Sequence, residues 1–306
     1  MKDVTFRNRD WDVAGQLHFP PDFDEKRRYP AIVVAHPISS CKEQTASIYA
    51  RRLAEEGYLT LTFDASYQGA SGGNPRFIED PATRVEDFRC AADFLVTLAY
   101  VDDARIGVMG ICGGGAYAVN AALTERRFKA VASVVAANYG RIMREGDLSP
   151  DAAIRTLEAI ANQRSAEARG GEALIGTYIP NSQEEREAAG IDDIDLREAI
   201  DYYKTPRGAA GGSPNKLRFV PLGAAMAFDA FHLADHLLTQ PLQIIVGDVP
   251  GGFGSYRDGF ELFDRARSSV KNIHVVKGAS HYDLYDRPEP VAEATDKLVT
   301  FFNDNL

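Results

Sequence analysis

The rhythm of hydrophobic and polar positions changes several times along the chain. "VTFRN" and "VAGQLHF" are short, β-rich and separated by a polar turn, which predicts an antiparallel hairpin at the start. "AIVVAH" (31–36) and "LTLTFD" (59–64) are instead unbroken apolar runs, the signature of strands covered on both faces. Between them "EQTASIYARRLAEEG" has helical spacing and stops at Gly57, a helix C-terminal glycine. A second amphipathic helix is predicted over 82–99, with Val85, Phe88, Ala92 and Leu95 on one stripe. "RIGVMG" then reads as a strand, "GGAYAVNAALTE" as a helix and "AVASVVAA" (130–137) as a strand. This alternation predicts an α/β fold, a mostly parallel central sheet with helices on both faces.

From Asn138 to Thr239 the pattern turns polar and helix-like, through "LSPDAAIRTLEAIANQRSAEARGG", "SQEEREAAGIDDIDLREAIDYY" and a glycine-rich "PRGAAGGSPN". Strand character returns at "LQIIVGD" (242–248) and "NIHVVKG" (272–278), with a helix between them and a last helix, "EPVAEATDKLVTFFND". The economical division is a core of 1–137 and 240–306 with a helical cap, or lid, inserted over 138–239.

Charge and composition exclude several classes. The net charge is −10 with no cluster of Lys or Arg, which counts against nucleic acid as a partner. No stretch approaches the roughly 18 uninterrupted apolar residues of a membrane helix. The charged start, "MKDVTFRNRDWDV", lacks the apolar centre of a secretory signal. Three cysteines without CxxC spacing suggest neither a disulfide framework nor a cysteine-rich zinc site, so the expectation is a protein of the reducing cytoplasm with no metal site.

The candidate chemistry centres on "GICGGGAY" (110–117). Gly110-Ile111-Cys112-Gly113-Gly114 fits the strand-to-helix turn that raises a nucleophile above a sheet. The helix that follows points its positive end at Cys112 and favours a thiolate, and the Gly113 N–H is placed to bind an oxyanion. His281, after the last strand, is the candidate general base. Asp248 is the first carboxylate after "LQIIV" and the candidate acid, with Asp258 in reserve. In the loop "VVAHPISSCKEQ", Pro37 has no N–H to give, so Ile38 is the second oxyanion donor. His36 shapes that loop and, with Tyr67 and His232, is a candidate for the substrate pocket. Cys41 and Cys90 lack such a setting, Asp64 is expected to tie its loop down, and "AAMAFDAFH" (224–232) offers apolar lining.

Five segments taken together, "AGQLHFP", "VVAHP…KEQTA", "FDASYQGASGGNPR", "RIGVMGICGGGAYA" and "GASHYDLY", resemble α/β-hydrolases of the dienelactone-hydrolase-like branch, and more closely its polyketide-transferase-type subgroup. The resemblance covers about residues 3–137 and 240–306 and leaves the cap unplaced. It implies an α/β-hydrolase fold, a Cys112 nucleophile with His281 as base, no cofactor, and hydrolysis or transfer of an ester, lactone or acyl thioester. The thioester could be held by a carrier protein or by CoA. The acid segment "VGDVPGGFGSYRDG" departs from the G-x-x-D spacing common in dienelactone hydrolases, so a catalytic dyad stays open. Two other classes are compatible with the same residues: a redox-responsive thiol protein, and a lyase or isomerase on this fold. An apolar cap helix would offer a face for a homodimer.

Overall fold

The computed structural model describes residues 1–146 and 149–306. The chain opens with a hairpin, β1 (Lys2–Asn8) and β2 (Trp11–His18), followed by β3 (Tyr29–Ala35), α1 (Thr45–Glu55) and β4 (Leu59–Phe63). Next come α2 (Pro81–Val96), β5 (Val101–Ile111), α3 (Gly113–Thr124) and β6 (Phe128–Val134). A helical stretch follows: α4 (Tyr139–Glu145), α5 (Pro150–Ala168), the short β7 (Ile175–Gly176), α6 (Gln183–Ala188), α7 (Ile194–Tyr203), the short β8 (Leu217–Arg218), α8 (Leu222–Ala227) and α9 (Ala234–Leu237). The chain ends with β9 (Leu242–Gly247), α10 (Ser255–Arg265), β10 (Lys271–Val276), α11 (Asp283–Asp286) and α12 (Pro288–Asn305). The helical run expected from Leu148 begins outside the described residues and is described from Ser149 onward.

Among the described residues the central sheet has eight strands in the order β1-β2-β4-β3-β5-β6-β9-β10. β1 pairs antiparallel to β2 and β2 to β4, and every other pairing is parallel. The apolar runs explain this. Ile32, Val33 and Val34 in β3 and Leu59 and Leu61 in β4 are wholly buried, because helices cover both faces. Each such side chain contributes about 1.5–3 kcal/mol relative to exposure. α2, α3 and α10 pack on one face, with Phe88, Ala118 and Leu262 in its core. On the other face lie α1 and α12, with Tyr49, Leu298 and Phe302 in the core. The predicted α/β sheet is therefore the observed one.

The run "SQEEREAAGIDDIDLREAIDYY" is not one helix. Gly190 at φ +69° ends the first piece, and Asp193 accepts the Leu196 N–H to start α7. The loops after β3, β5, β9 and β10 all leave the sheet at its carboxyl edge. That is where an open α/β sheet binds its ligands.

Candidate active site

β5 is buried from Ile106 to its last residue, and the chain then reverses at Cys112, at φ 55° and ψ −128°. A non-glycine residue in that region costs of the order of 1–3 kcal/mol, so the surroundings must impose it. They do so through the backbone: the Cys112 N–H donates to Val134 O at 3.0 Å, and its carbonyl accepts from Ala116 and Ala137. Glycine is required where the turn closes. A Cβ on Gly110 would lie 2.3 Å from the Gly114 backbone, and one on Gly114 would lie 2.4 Å from His36 O.

The thiol projects into a cavity of about 460 Å³ with a mainly apolar wall. Ile38 and Ser39 enter from the loop after β3, Tyr139, Ile142 and Met143 from α4, and Tyr178 and Ile179 from the chain after β7. Phe219 and Leu222 close another side, and Phe253, Tyr282 and Tyr285 surround the thiol end. The expected lining from 224–232 is not found: Ala225 and Met226 pack behind the wall, with Ile160, against the lining residues Leu217 and Leu222.

His281 is buried beside this end, edge-on to Phe253 at 5.4 Å and tilted against Tyr282 and Tyr285. Its Nδ1 faces the Ser255 hydroxyl at 3.0 Å, and its Nε2 faces the Tyr285 hydroxyl at 3.3 Å. The same hydroxyl also faces the Cys112 thiol and favours its ionised form, so Tyr285 stands between thiol and imidazole. Burial holds the imidazole down at about 3 and pushes the thiol up to about 11, against the pull of the Tyr285 hydroxyl and the Gly113 N–H. The resting pair is thus neutral, which corrects the expectation of a thiolate favoured by the helix end. Loss of water outweighs a partial charge when the sulfur is buried.

A strained turn bearing a cysteine, a buried histidine after the last strand and an apolar cavity at the thiol invite comparison with known proteins. The model of the dienelactone hydrolase family matches residues 17–162. The uncharacterized protein YcjY of Escherichia coli (strain K12) is 43% identical over 297 residues, spanning 96% of this chain and 94% of that protein. The chain belongs to the dienelactone hydrolase family. The crystal structure of hypothetical protein PA2218 from Pseudomonas aeruginosa superposes with a TM-score of 0.90 at 32% identity, covering all of this chain and 93% of that one. Polyketide transferase claH of Penicillium crustosum is 32% identical over 271 residues, 84% of this chain and 82% of that protein. The sheet order and the turn at Cys112 are those of the α/β-hydrolase fold.

Not every predicted residue of this family member reaches the site. Asp248 is exposed, and its Oδ1 accepts the Gly278 N–H at 2.5 Å, away from His281. Asp258 is fully buried, but its oxygens are held by Arg141 at 2.6 and 2.8 Å and by the Asn138 N–H at 2.7 Å. Neither candidate carboxylate touches His281; Ser255 occupies that place. His36 does not line the cavity. Its Nδ1 meets Pro37 O at 2.6 Å and its Nε2 accepts the Ala65 N–H at 3.0 Å, which makes it a tie between two loops. Burial, with Arg84 nearby, lowers its pKa well below the usual histidine range. Tyr67, at φ 70°, packs on Trp11 at 5.2 Å, outside the cavity wall. His232 is exposed and borders a different cavity with Arg89 and Asn120. These positions correct the pocket assignment. Sequence order put the three near the edge, but each turns to a neighbour of its own.

Gly113 and Ile38 do come together: a Cβ on Gly113 would lie 2.5 Å from the Ile38 side chain. Asp64 ties its loop to the next, accepting from the Lys42 N–H, Lys42 Nζ and the Ala70 N–H at 2.8–2.9 Å. Cys41, Glu43 and Asp64 bring three donor atoms within 4.8 Å of one another. The Lys42 ammonium bridges both carboxylates, so that cluster already holds its cation. Among the described residues no helix is long and apolar enough to cross a membrane. Sequence reasoning missed Ser255 and Tyr285. The signal for Tyr285 was its place four residues after His281, in the short helix that begins just beyond the histidine.

Proposed function

We propose that this protein cleaves or transfers acyl groups through a covalent Cys112 acyl-enzyme, with His281 as general base. The observation that carries this is the buried line from the Cys112 sulfur through the Tyr285 hydroxyl to His281 Nε2, on a strained turn at the wall of an apolar cavity. As the sulfur attacks a carbonyl carbon, the S–H proton passes to Tyr285 Oη, and the Tyr285 proton passes to Nε2. The carbonyl π electrons move onto oxygen, which the backbone N–H groups of Gly113 and Ile38 receive. Collapse of the tetrahedral intermediate expels the alkoxide or thiolate, which takes the proton from Nε2. Water or an acceptor alcohol then resolves the thioester by the same steps in reverse.

The substrate class is an ester, lactone or acyl thioester with an apolar acyl part. The cavity near 460 Å³ offers aromatic and aliphatic wall but few polar groups to orient a charged chain. A relative named polyketide transferase and another named thiohydrolase fit transfer or cleavage of a thioester, and the donor we infer is an acyl thioester on a carrier protein or CoA. Intact-protein mass spectrometry after brief exposure to short activated esters and acyl thioesters tests the reading. A gain of one acyl group that vanishes in Cys112→Ala is expected. No adduct with any donor, while iodoacetamide still labels Cys112, would overturn it.

A further inference from the structure

His281 has a hydroxyl, and no carboxylate, at its Nδ1. Yet an imidazolium formed in a buried, aromatic-walled place needs an opposite charge nearby. The loop 249–255 ought to supply one and does not. The N-terminus of α7, from the helical stretch, reaches that loop instead. Asp193 Oδ2 accepts the Gly252 N–H at 2.7 Å, and Asp195 Oδ2 accepts the Phe253 N–H at 2.8 Å. A Cβ on Gly251 would lie 2.3 Å from the Asp195 carboxyl carbon, so glycine is what lets the loop close over it. Two carboxylates of one helix therefore grip the residues just ahead of Ser255.

Asp195 stands apart from the other buried carboxylates among the described residues. Asp64 is paired with Lys42, Glu79 with Arg84 and Asp258 with Arg141. Asp87 has both oxygens bonded, by Asn8 and Ser66. Asp195 is completely buried, has no cation among the described residues, and its Oδ1 has no hydrogen-bond partner. Burial raises it to about 7, with Asp193 and Glu198 of its own helix adding and the Phe253 N–H opposing. From the other elements, Cys112 and Tyr282 feel its charge, and Phe253 packs edge-on to His281. A carboxyl so placed is costly to the fold, and asparagine or leucine would be cheaper there.

We propose that Asp195 is the acidic positioning residue of the active site, supplied by α7 from outside the sheet. It gives the negative charge that compensates the His281 imidazolium when Cys112 loses its proton, and it holds the loop that presents Ser255 to His281. The inference rests on the Cys112–His281 reading above.

Asp195→Asn keeps an acceptor for the Phe253 N–H and removes the charge. The rate of Cys112 acylation by a p-nitrophenyl ester is followed from about pH 5 to 9, alongside thermal unfolding. The wild-type rate should rise through about pH 7 as Asp195 ionises. The variant should be at least about tenfold slower at pH 8 and lack that rise, with a melting temperature at pH 8 equal or higher. A variant within twofold of wild type, with the same pH profile, overturns the proposal. Cys112→Ala separates the two readings: acylation surviving there sinks the nucleophile, whereas a dead Cys112→Ala beside an unimpaired Asp195→Asn sinks only the role of Asp195. Should Asp195→Asn not fold, wild-type protein labelled with 13C at the aspartate carboxyls serves. A carboxyl titrating near 7 that shifts when iodoacetamide blocks Cys112 is expected, and its absence overturns the proposal.

Discussion

Replacing Tyr285 with phenylalanine isolates one atom of the proposed proton path. The ring stays packed, at 4.5 Å from Tyr282, 5.1 Å from Tyr202 and 5.4 Å from His281, so only the hydroxyl is lost. That hydroxyl stands 3.3 Å from His281 Nε2 and also favours the ionised thiol. Without it, a buried imidazole nitrogen is left unsatisfied, a cost of about 1–3 kcal/mol. The route from S–H to Nε2 is also broken, and a positioned general base is typically worth about 10²–10⁴ in rate. Part of the first cost is borne by the ground state, so the expected loss in acylation rate is about 10²–10³. The assay is the burst of p-nitrophenol from an activated ester, run beside iodoacetamide alkylation across pH. The hydroxyl lowers the thiol pKa, so its removal should move the alkylation profile to higher pH. An acylation rate within threefold of wild type, with an unmoved alkylation profile, would mean that thiol and imidazole exchange the proton without Tyr285.

Three further outcomes follow from the packing. Gly114→Ala drives a Cβ to 2.4 Å from the His36 carbonyl oxygen, so the turn must shift; acyl-enzyme formation should fall by more than about tenfold while circular dichroism stays native. Asp258→Ala leaves the buried Arg141 with only the exposed Glu145, at 4.0 Å, and should cost about 3–5 kcal/mol in urea unfolding; a loss under about 1 kcal/mol would show that the pair is not buried in solution. His18 is buried in β2, and burial lowers its pKa to about 4. Below the ordinary value near 6.5 the unfolded chain binds a proton that the folded chain refuses, so this residue's contribution is present above 6.5 and lost as pH falls toward 4. Against His18→Gln, the wild type should lose up to about 3 kcal/mol of relative stability between pH 7 and pH 4, and parallel stability curves would contradict the assignment.

The division between what the chain pattern carries and what folding decides is visible at single residues. The apolar runs of β3 and β4 announce strands covered on both faces, because a strand with one wet face cannot be apolar at successive positions. The glycines around Cys112 announce a tight reversal after a strand, because no other side chain fits there. His281 is legible from chain order alone. These are local or sequential facts, and a sequence holds them. The partner of His281 is not of that kind. Asp248 and Asp258 follow β9 as an acid should, yet one turns to Gly278 and the other to Arg141. Ser255 and Asp195 reach the site only because α7 lies on the loop after β9. The charge state of Cys112 was likewise misjudged from the helix end alone, since burial is set by the assembled cavity. Spacing along the chain determined which turn carries Cys112; only the packing of distant segments decided which groups face it, because burial and electrostatic contact depend on distance in space.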